Sequence, residues 1–519
     1  MKKIILVVFG LVLACNSSQK IVPDKTTTII SGADPKIYAE TITESELKEH
    51  LFVYASDEFE GRETGQPGQK KAIEYIKNAY VELGIPAAKG DNDYYQNVPL
   101  EMSKLPSGTI RFNGTELEIG EHFLTFTTAE GSYKNIVYAG YGIEEGTYSD
   151  FEGLDVEGKL VLVKFGEPKN DDGTYKISGT NKKSVWSNMS ESPDKRANLI
   201  SEKGGNGMLY VDDANYARFK GYFDRMKRNN SGSLMLKPKN PEFITVLLDK
   251  TAATGLLSTI YESDTPQTIN VEINLNVTSE DNEVNSENVI AFIEGSTKPN
   301  EYIVISSHLD HIGVTADGEI NNGADDDGSG TVALLEIAEA FKIAADAGIG
   351  PKRSIVFLHL TGEEKGLLGS QYYTDVEPIF PLEQTVANLN IDMIGRIDPK
   401  RNGDRNYIYV IGSDKLSKDL HNLSEEINKK YAKLELDYKY NDENDPNRFY
   451  YRSDHYNFAK NNIPIIFYFN GTHEDYHRPS DTPDKINYDL LENRARLIFY
   501  TAWEISNRDK RVILDKSSK

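Results

Sequence analysis

Residues 306–330 read S-S-H-L-D-H-I-G-V-T-A-D-G-E-I-N-N-G-A-D-D-D-G-S-G. An apolar strand pattern, Tyr302–Ser306, runs straight into His308 and Asp310, and a glycine-bounded triple aspartate follows. Imidazole with carboxylate is a borderline-to-hard donor mixture, and zinc is its usual occupant. Alone, an H-x-D is weak evidence. Its weight depends on whether the rest of the chain supplies further donors.

From about residue 286 onward the pattern is strand, loop, helix, repeated. Strands are expected at 288–294, 302–307, 354–360, 387–392, 407–412 and 465–469. Helices are expected at 329–344, 366–374, 415–430, 453–461 and 488–506. Such alternation predicts an α/β fold: a mixed, mostly parallel sheet with helices on both faces. Ligands of open α/β sheets collect at the carboxyl ends of strands. The polar residues at those ends are His308 and Asp310, then one of Asp325, Asp326 and Asp327, then Glu363 and Glu364. Asp392 and His477 complete the group. Two metals sharing a site need a bridging carboxylate and two terminal donors each. A spare carboxylate can take a proton from water. Of the adjacent pair Glu363-Glu364, one residue can serve as base and one as ligand. Asp310 can accept the second ring N–H of His308 and fix its tautomer.

The ordered set H-x-D, G-A-D-D-D-G-S-G, G-E-E, N-x-D-M-I-G and D-Y-H resembles the co-catalytic zinc exopeptidases, the family of bacterial aminopeptidases, glutamate carboxypeptidase and transferrin receptor. The resemblance implies two Zn²⁺. His308 and Asp392 would hold one ion, Glu364 and His477 the other, and Asp326 would bridge them. Glu363 would be the general base, and the implied activity is peptide hydrolysis, as an aminopeptidase ahead of a carboxypeptidase. Tyr476 is a candidate oxyanion donor. A single-zinc glutaminyl cyclase and a non-catalytic receptor-like binding protein share the fold and are the rival readings. The resemblance covers roughly 45–100, including A-S-D-E-F-E-G-R-E-T-G-Q-P-G, and 285–505.

Between these segments the texture changes. From 105 to 280, short runs such as Ile136–Ile143 and Lys159–Lys164 read as strands, and 168–195 as a polar loop. A-G-Y-G-I and G-K-L-V-L-V give this part a looser likeness to a protease-associated domain. The expected organisation is therefore a zinc peptidase domain over 41–104 and 281–510, interrupted by a β-rich insertion over 105–280.

The first 40 residues read as targeting and tether. Met1-Lys2-Lys3 is a basic head and Ile4–Leu13 a short apolar run. V-L-A-C then resembles a bacterial lipobox. Residues 1–14 would be a signal peptide, Cys15 would carry lipid, and 15–40 would be a tether. This implies a lipid-anchored protein of the bacterial cell envelope, in the outer membrane facing the periplasm. Cys15 is the only cysteine, so internal disulfides are excluded. The net charge of −23 over 519 residues argues against nucleic acid or an anionic membrane as principal partner. Peptides are the expected partners, and a homodimer is compatible with the insertion.

Several nearby residues have plainer readings. Asp325 and Asp327 suit the entry of helix 329–344. His311 matches no role in the motif set and is expected to be a polar loop residue, with lining of the site as the lesser alternative. His359, inside an apolar strand, is expected to be buried and hydrogen-bonded. Arg396 and Arg452 could hold a substrate carboxylate or a structural Asp. Asp481 could support His477 or cap a turn.

Overall fold

The computed structural model describes residues 34–229, 232–237, 243–279 and 282–516. The expected signal peptide, Cys15 and most of the expected tether lie outside the described residues. Among the described residues, no helix is long and apolar enough to cross a membrane.

A nine-stranded sheet organises the larger part. Its strand order is Ser233–Leu236, Tyr95–Ser103, Asn282–Ile293, Arg353–Leu360, Lys298–His308, Thr385–Ile391, Ile465–Phe469, Tyr407–Ile411 and Glu435–Asp437. The central strands, Arg353–Leu360, Lys298–His308, Thr385–Ile391 and Ile465–Phe469, run parallel. Most of the flanking pairs are antiparallel. The sheet is thus mixed, with its parallel part at the centre.

The period-2 alternation of buried strands explains both faces. Ile303, Ile305, Ile355 and Phe357 point into one core, closed by helices Glu44–Tyr54, Pro67–Leu83, Gly330–Asp346 and Tyr488–Asn507. Tyr302, Val304, Val356 and Leu358 point the other way, against Tyr373 and Phe458. Those two residues come from the short helical segments Tyr372–Val376 and His455–Lys460.

The inserted unit holds a six-stranded and a four-stranded sheet. They share one apolar core, in which Ile110, Ile273 and Leu275 meet Ile136, Leu160 and Leu209. Three details differ from the sequence reading. The strand expected at 136–143 stops at Tyr138, because Gly140 and Gly142 take positive φ of 50° and 65° and turn the chain. The polar stretch 168–195 contains the turn Val185–Ser187 and the start of helix Ser192–Glu202. An unanticipated helix spans Tyr216–Asn229. In addition, Ser233–Leu236, within the segment read as an insertion, hydrogen-bonds to Tyr95–Ser103 at the edge of the large sheet.

Candidate metal centre

The parallel strands deliver their ends to one place. His308 is the last residue of its strand, Asp392 follows Ile391, and Glu363 and Glu364 lie three and four residues beyond Leu360. His477 lies in the turn after Ile465–Phe469, at a positive φ of 56°. Asp392, Glu363, Glu364 and His477 line a cleft of about 300 Å³ together with Asp326, Met393, Phe449, Arg452 and Tyr476, with His308 buried behind it.

Asp326 sits at the middle. Its Oδ1 is 3.2 Å from His308 Nε2. Its Oδ2 is 3.1 Å from His477 Nε2. The two imidazoles therefore address opposite oxygens of one buried carboxylate. Asp392 Oδ1 backs the first at 3.7 Å from His308 Nε2, and Glu364 Oε2 backs the second at 3.2 Å from His477 Nε2. His308 Nε2, Asp326 Oδ2 and Glu364 Oε1 are buried without hydrogen-bond partners. Native proteins rarely leave such groups unpaired unless they hold an ion, so this donor set fits a divalent metal.

Without an ion, the site neutralises itself by proton placement. Burial works against charge on His308, yet Glu363, Asp326 and Asp392 raise its pKa well above the ordinary imidazole value. His477 is pushed up to about 10, because Asp326 and Glu364 outweigh its burial. Burial also opposes charge on Asp326, which His308 and His477 nevertheless hold well below the usual carboxylate range. Burial drives Glu363 the other way, well above that range, against the pull of His308. Metal entry would thus have to displace protons from the histidines.

The neighbouring aspartates divide the labour of holding the loop. Asp327 Oδ1 accepts from the backbone of Gly330 and Met393, and its Oδ2 from His308 N, at 3.0, 3.0 and 3.2 Å. One carboxylate so ties the helix entry to two strand ends. Asp325 accepts from Gly395 N, Asn470 Nδ2 and His473 Nε2. Asp481 supports neither His477 nor a simple turn. Its Oδ2 accepts the backbone N–H groups of Asp325 and Asp326. Buried Arg62, in the turn-rich segment 55–68, clamps the carbonyls of Asn322 and Gly323.

The expected role of Asp310 needs correction. His308 Nδ1 is 3.0 Å from the main-chain carbonyl of Asp310, whereas the Asp310 carboxylate lies 3.9 Å away. That carboxylate instead accepts from Glu363 N at 3.1 Å and from Thr64 Oγ1 at 2.7 Å. It fixes the backbone of Glu363 rather than the tautomer of His308. Tyr476 stacks on His477, ring centroids 3.9 Å apart, with its side chain in the cleft wall. Arg396 is buried and pairs with Asp475 at 2.9 Å, whereas Arg452 stays at the exposed rim of the cleft. His359 is buried between Tyr80 and Ser307, as expected for a core histidine.

Two buried residues near the site were given no role in it from the sequence. His311 is no polar surface loop residue. It is fully buried, its Nδ1 2.8 Å from Glu364 Oε1 and 3.9 Å from Asp326 Oδ2. Asp454 is buried with neither oxygen hydrogen-bonded, and burial raises its pKa to about 7. The spacing from His308 flagged the position of His311. Nothing in the S-D-H around Asp454 distinguishes it from a helix-entry residue.

Residues 288–502 match the profile described as Peptidase family M28. It is 34% identical over 106 residues to a probable glutamate carboxypeptidase of Arabidopsis thaliana, covering 20% of this chain and 14% of that protein. It is 28% identical over 227 residues to leupeptin-inactivating enzyme 1 of Streptomyces exfoliatus, covering 40% and 46%. The chain thus spans less than half the length of these curated relatives. A zinc aminopeptidase from Bacillus subtilis aligns over 92% of this chain and 99% of its own, at 17% identity and a TM-score of 0.44.

Proposed function

We propose that this protein is a zinc-dependent exopeptidase, an aminopeptidase, that uses two Zn²⁺ and takes Glu363 as its general base. The observation that carries the reading is the placement of His308 and His477 on opposite oxygens of Asp326. A carboxylate addressed from both sides is the arrangement a bridging ligand needs. His308 and Asp392 would hold one ion, Glu364 and His477 the other. Bound zinc supplies Lewis acidity toward a carbonyl and lowers the pKa of nearby water.

The protein's own groups do the rest. Glu363, kept at the cleft by its backbone bond to Asp310, takes the proton of the attacking water and returns it to the leaving amine. Tyr476 offers its hydroxyl to the developing oxyanion. A cleft lined by Asp326, Glu363, Glu364 and Asp392 supports a substrate with a free, cationic N-terminus. The lipobox at Cys15 supports action on peptides at the cell envelope.

The test is hydrolysis of a panel of aminoacyl amides and N-blocked peptides by the zinc-loaded chain, beside E363Q. We expect cleavage of the free amides. E363Q should cut kcat about 10²–10⁴-fold, the range for a general base, with zinc content unchanged. E363Q cleaving as fast as wild type would remove Glu363 from the mechanism. Cleavage of blocked peptides alone would exclude an aminopeptidase.

A further inference from the structure

The two ends of Asp326 are not equally furnished. Around Oδ1 stand His308 and Asp392. Around Oδ2 stand His477, Glu364 and one group more, His311. The geometry points to His311 Nδ1 as an additional protein ligand of the ion beside Glu364. That ion would have four protein donors and the ion beside His308 three. This rests on the two-metal reading above and adds an asymmetry to it.

The distances carry the assignment. Donors lying about 2.0–2.2 Å from one zinc cannot be more than about 4.4 Å apart. His311 Nδ1 lies 2.8 Å from Glu364 Oε1 and 3.9 Å from Asp326 Oδ2. His477 Nε2 lies 3.1 and 3.2 Å from the same two carboxylates. Each of these pairs satisfies the limit. His311 Nδ1, Asp326 and Glu364 also stand together as a compact three-donor group.

Burial makes the same point independently. His311 has no exposed surface, its Nδ1 faces only the carboxylates of Glu364 and Asp326, and its Nε2 has no hydrogen-bond partner. Burying an imidazole with Nε2 unpaired and Nδ1 turned only toward carboxylates costs folding free energy that a metal bond at Nδ1 would offset. The surroundings hold the ring where it is. His311 N donates to the Arg62 carbonyl at 3.2 Å. Gly323 packs against the ring so closely that a Cβ there would lie 2.6 Å from its Cγ and Cδ2.

The chemical consequence is a division of roles. Zinc with four protein donors is closed, as in structural sites. Zinc with three keeps a position open for water or substrate. The ion beside His308 would then be the one open to substrate. The ion beside Glu364 would chiefly hold the loops that carry Asp326 and His477.

The experiment compares the full chain with H311A and H311Q. Each protein is stripped, reloaded with Zn²⁺, and titrated with a competing chelator while bound metal is counted. Melting of the stripped proteins checks that the variants fold. Both variants should bind the ion beside Glu364 at least tenfold more weakly and leave the other ion unchanged. In the Co²⁺-loaded wild type, NMR should show three hyperfine-shifted exchangeable imidazole N–H signals. That count needs no variant. Chelator curves that superimpose on wild type, or two imidazole signals where two ions are bound, would overturn the assignment. If wild type binds one ion and H311A still weakens it, His311 stands as a ligand and the two-metal reading falls. If it binds one ion and H311A leaves it unchanged, both fall.

Discussion

The two ends of the Asp326 carboxylate are built differently. On the His308 side the donors grow out of regular structure. His308 ends a central parallel strand and Asp392 follows the next one, and the Asp327 carboxylate accepts from the backbone N–H of His308 and of Met393, the residue after Asp392. On the His477 side the donors come from loops. His477 has a left-handed backbone and a side chain 35% exposed, and His311 and Glu364 also lie beyond the strands. One side is rich in fixed backbone and poor in donors, the other rich in donors and poor in fixed backbone. Rigidity of the fold and coordination by the ion thus substitute for one another across a single carboxylate.

The harshest way to break the comparison is to remove what the two sides share. D326N should abolish stoichiometric metal binding at both ends and reduce hydrolysis to background, measured by metal analysis and amide cleavage. Retention of one tightly held ion would mean the ends do not depend on a common bridge.

A smaller effect tests the strand side. D310A leaves Glu363 N and the Thr64 hydroxyl unpaired, so kcat should fall about 10–100-fold, as for outer-shell partners of metal sites, with metal content intact. D310N can still accept from Glu363 N and donate to Thr64, and should recover much of the loss. Equal defects in both variants would assign the effect to charge rather than placement.

Metal removal sharpens the contrast directly. Hydrogen exchange of the stripped chain should rise across 363–367 and 472–482, which depend on loop donors. It should stay unchanged in Thr385–Ile391 and Ile465–Phe469, whose protection comes from the sheet. Uniform loosening would erase the distinction.

The smallest effect concerns acid. Burial lowers His359 to about 3, behind the His308 strand. The unfolded chain binds this proton below about pH 6.5, and the folded chain only below about 3. Between those values the unfolded state holds more protons, so stability falls as pH falls. At pH 5 the loss from this residue is about 2 kcal/mol. H359Q should flatten the dependence of melting temperature on pH between 7 and 5. An unchanged slope would mean that other groups set it.

What was legible in the chain follows the same division. Central strands buried on both faces are near-continuous apolar runs, so 302–307, 354–360 and 465–469 stood out, and with them the residues at their ends. Asp326 could be told from Asp325 and Asp327 only through family resemblance. Three adjacent aspartates differ in where a kinked backbone aims them, and composition does not carry that. His311 reads chiefly as a polar loop residue because its loop is buried by contacts with Arg62, far off in sequence, and with Gly323. The helix Tyr216–Asn229 was hidden by its many charges and Gly221. The early end of the strand at Tyr138 depends on left-handed glycines whose sign of φ no pattern announces.

The sheet's two outermost strands have a consequence beyond the site. Ser233–Leu236 has four residues and Glu435–Asp437 has three. Long, flat, unpaired strand edges recruit other chains and seed aggregation. Here the nine-residue strand Tyr95–Ser103 would be such an edge, and Ser233–Leu236 covers its last four residues, Leu100 to Ser103. The opposite border ends in Glu435 and Asp437, both paired with Arg401. By stopping short at each border, the sheet offers a neighbouring copy little backbone to extend.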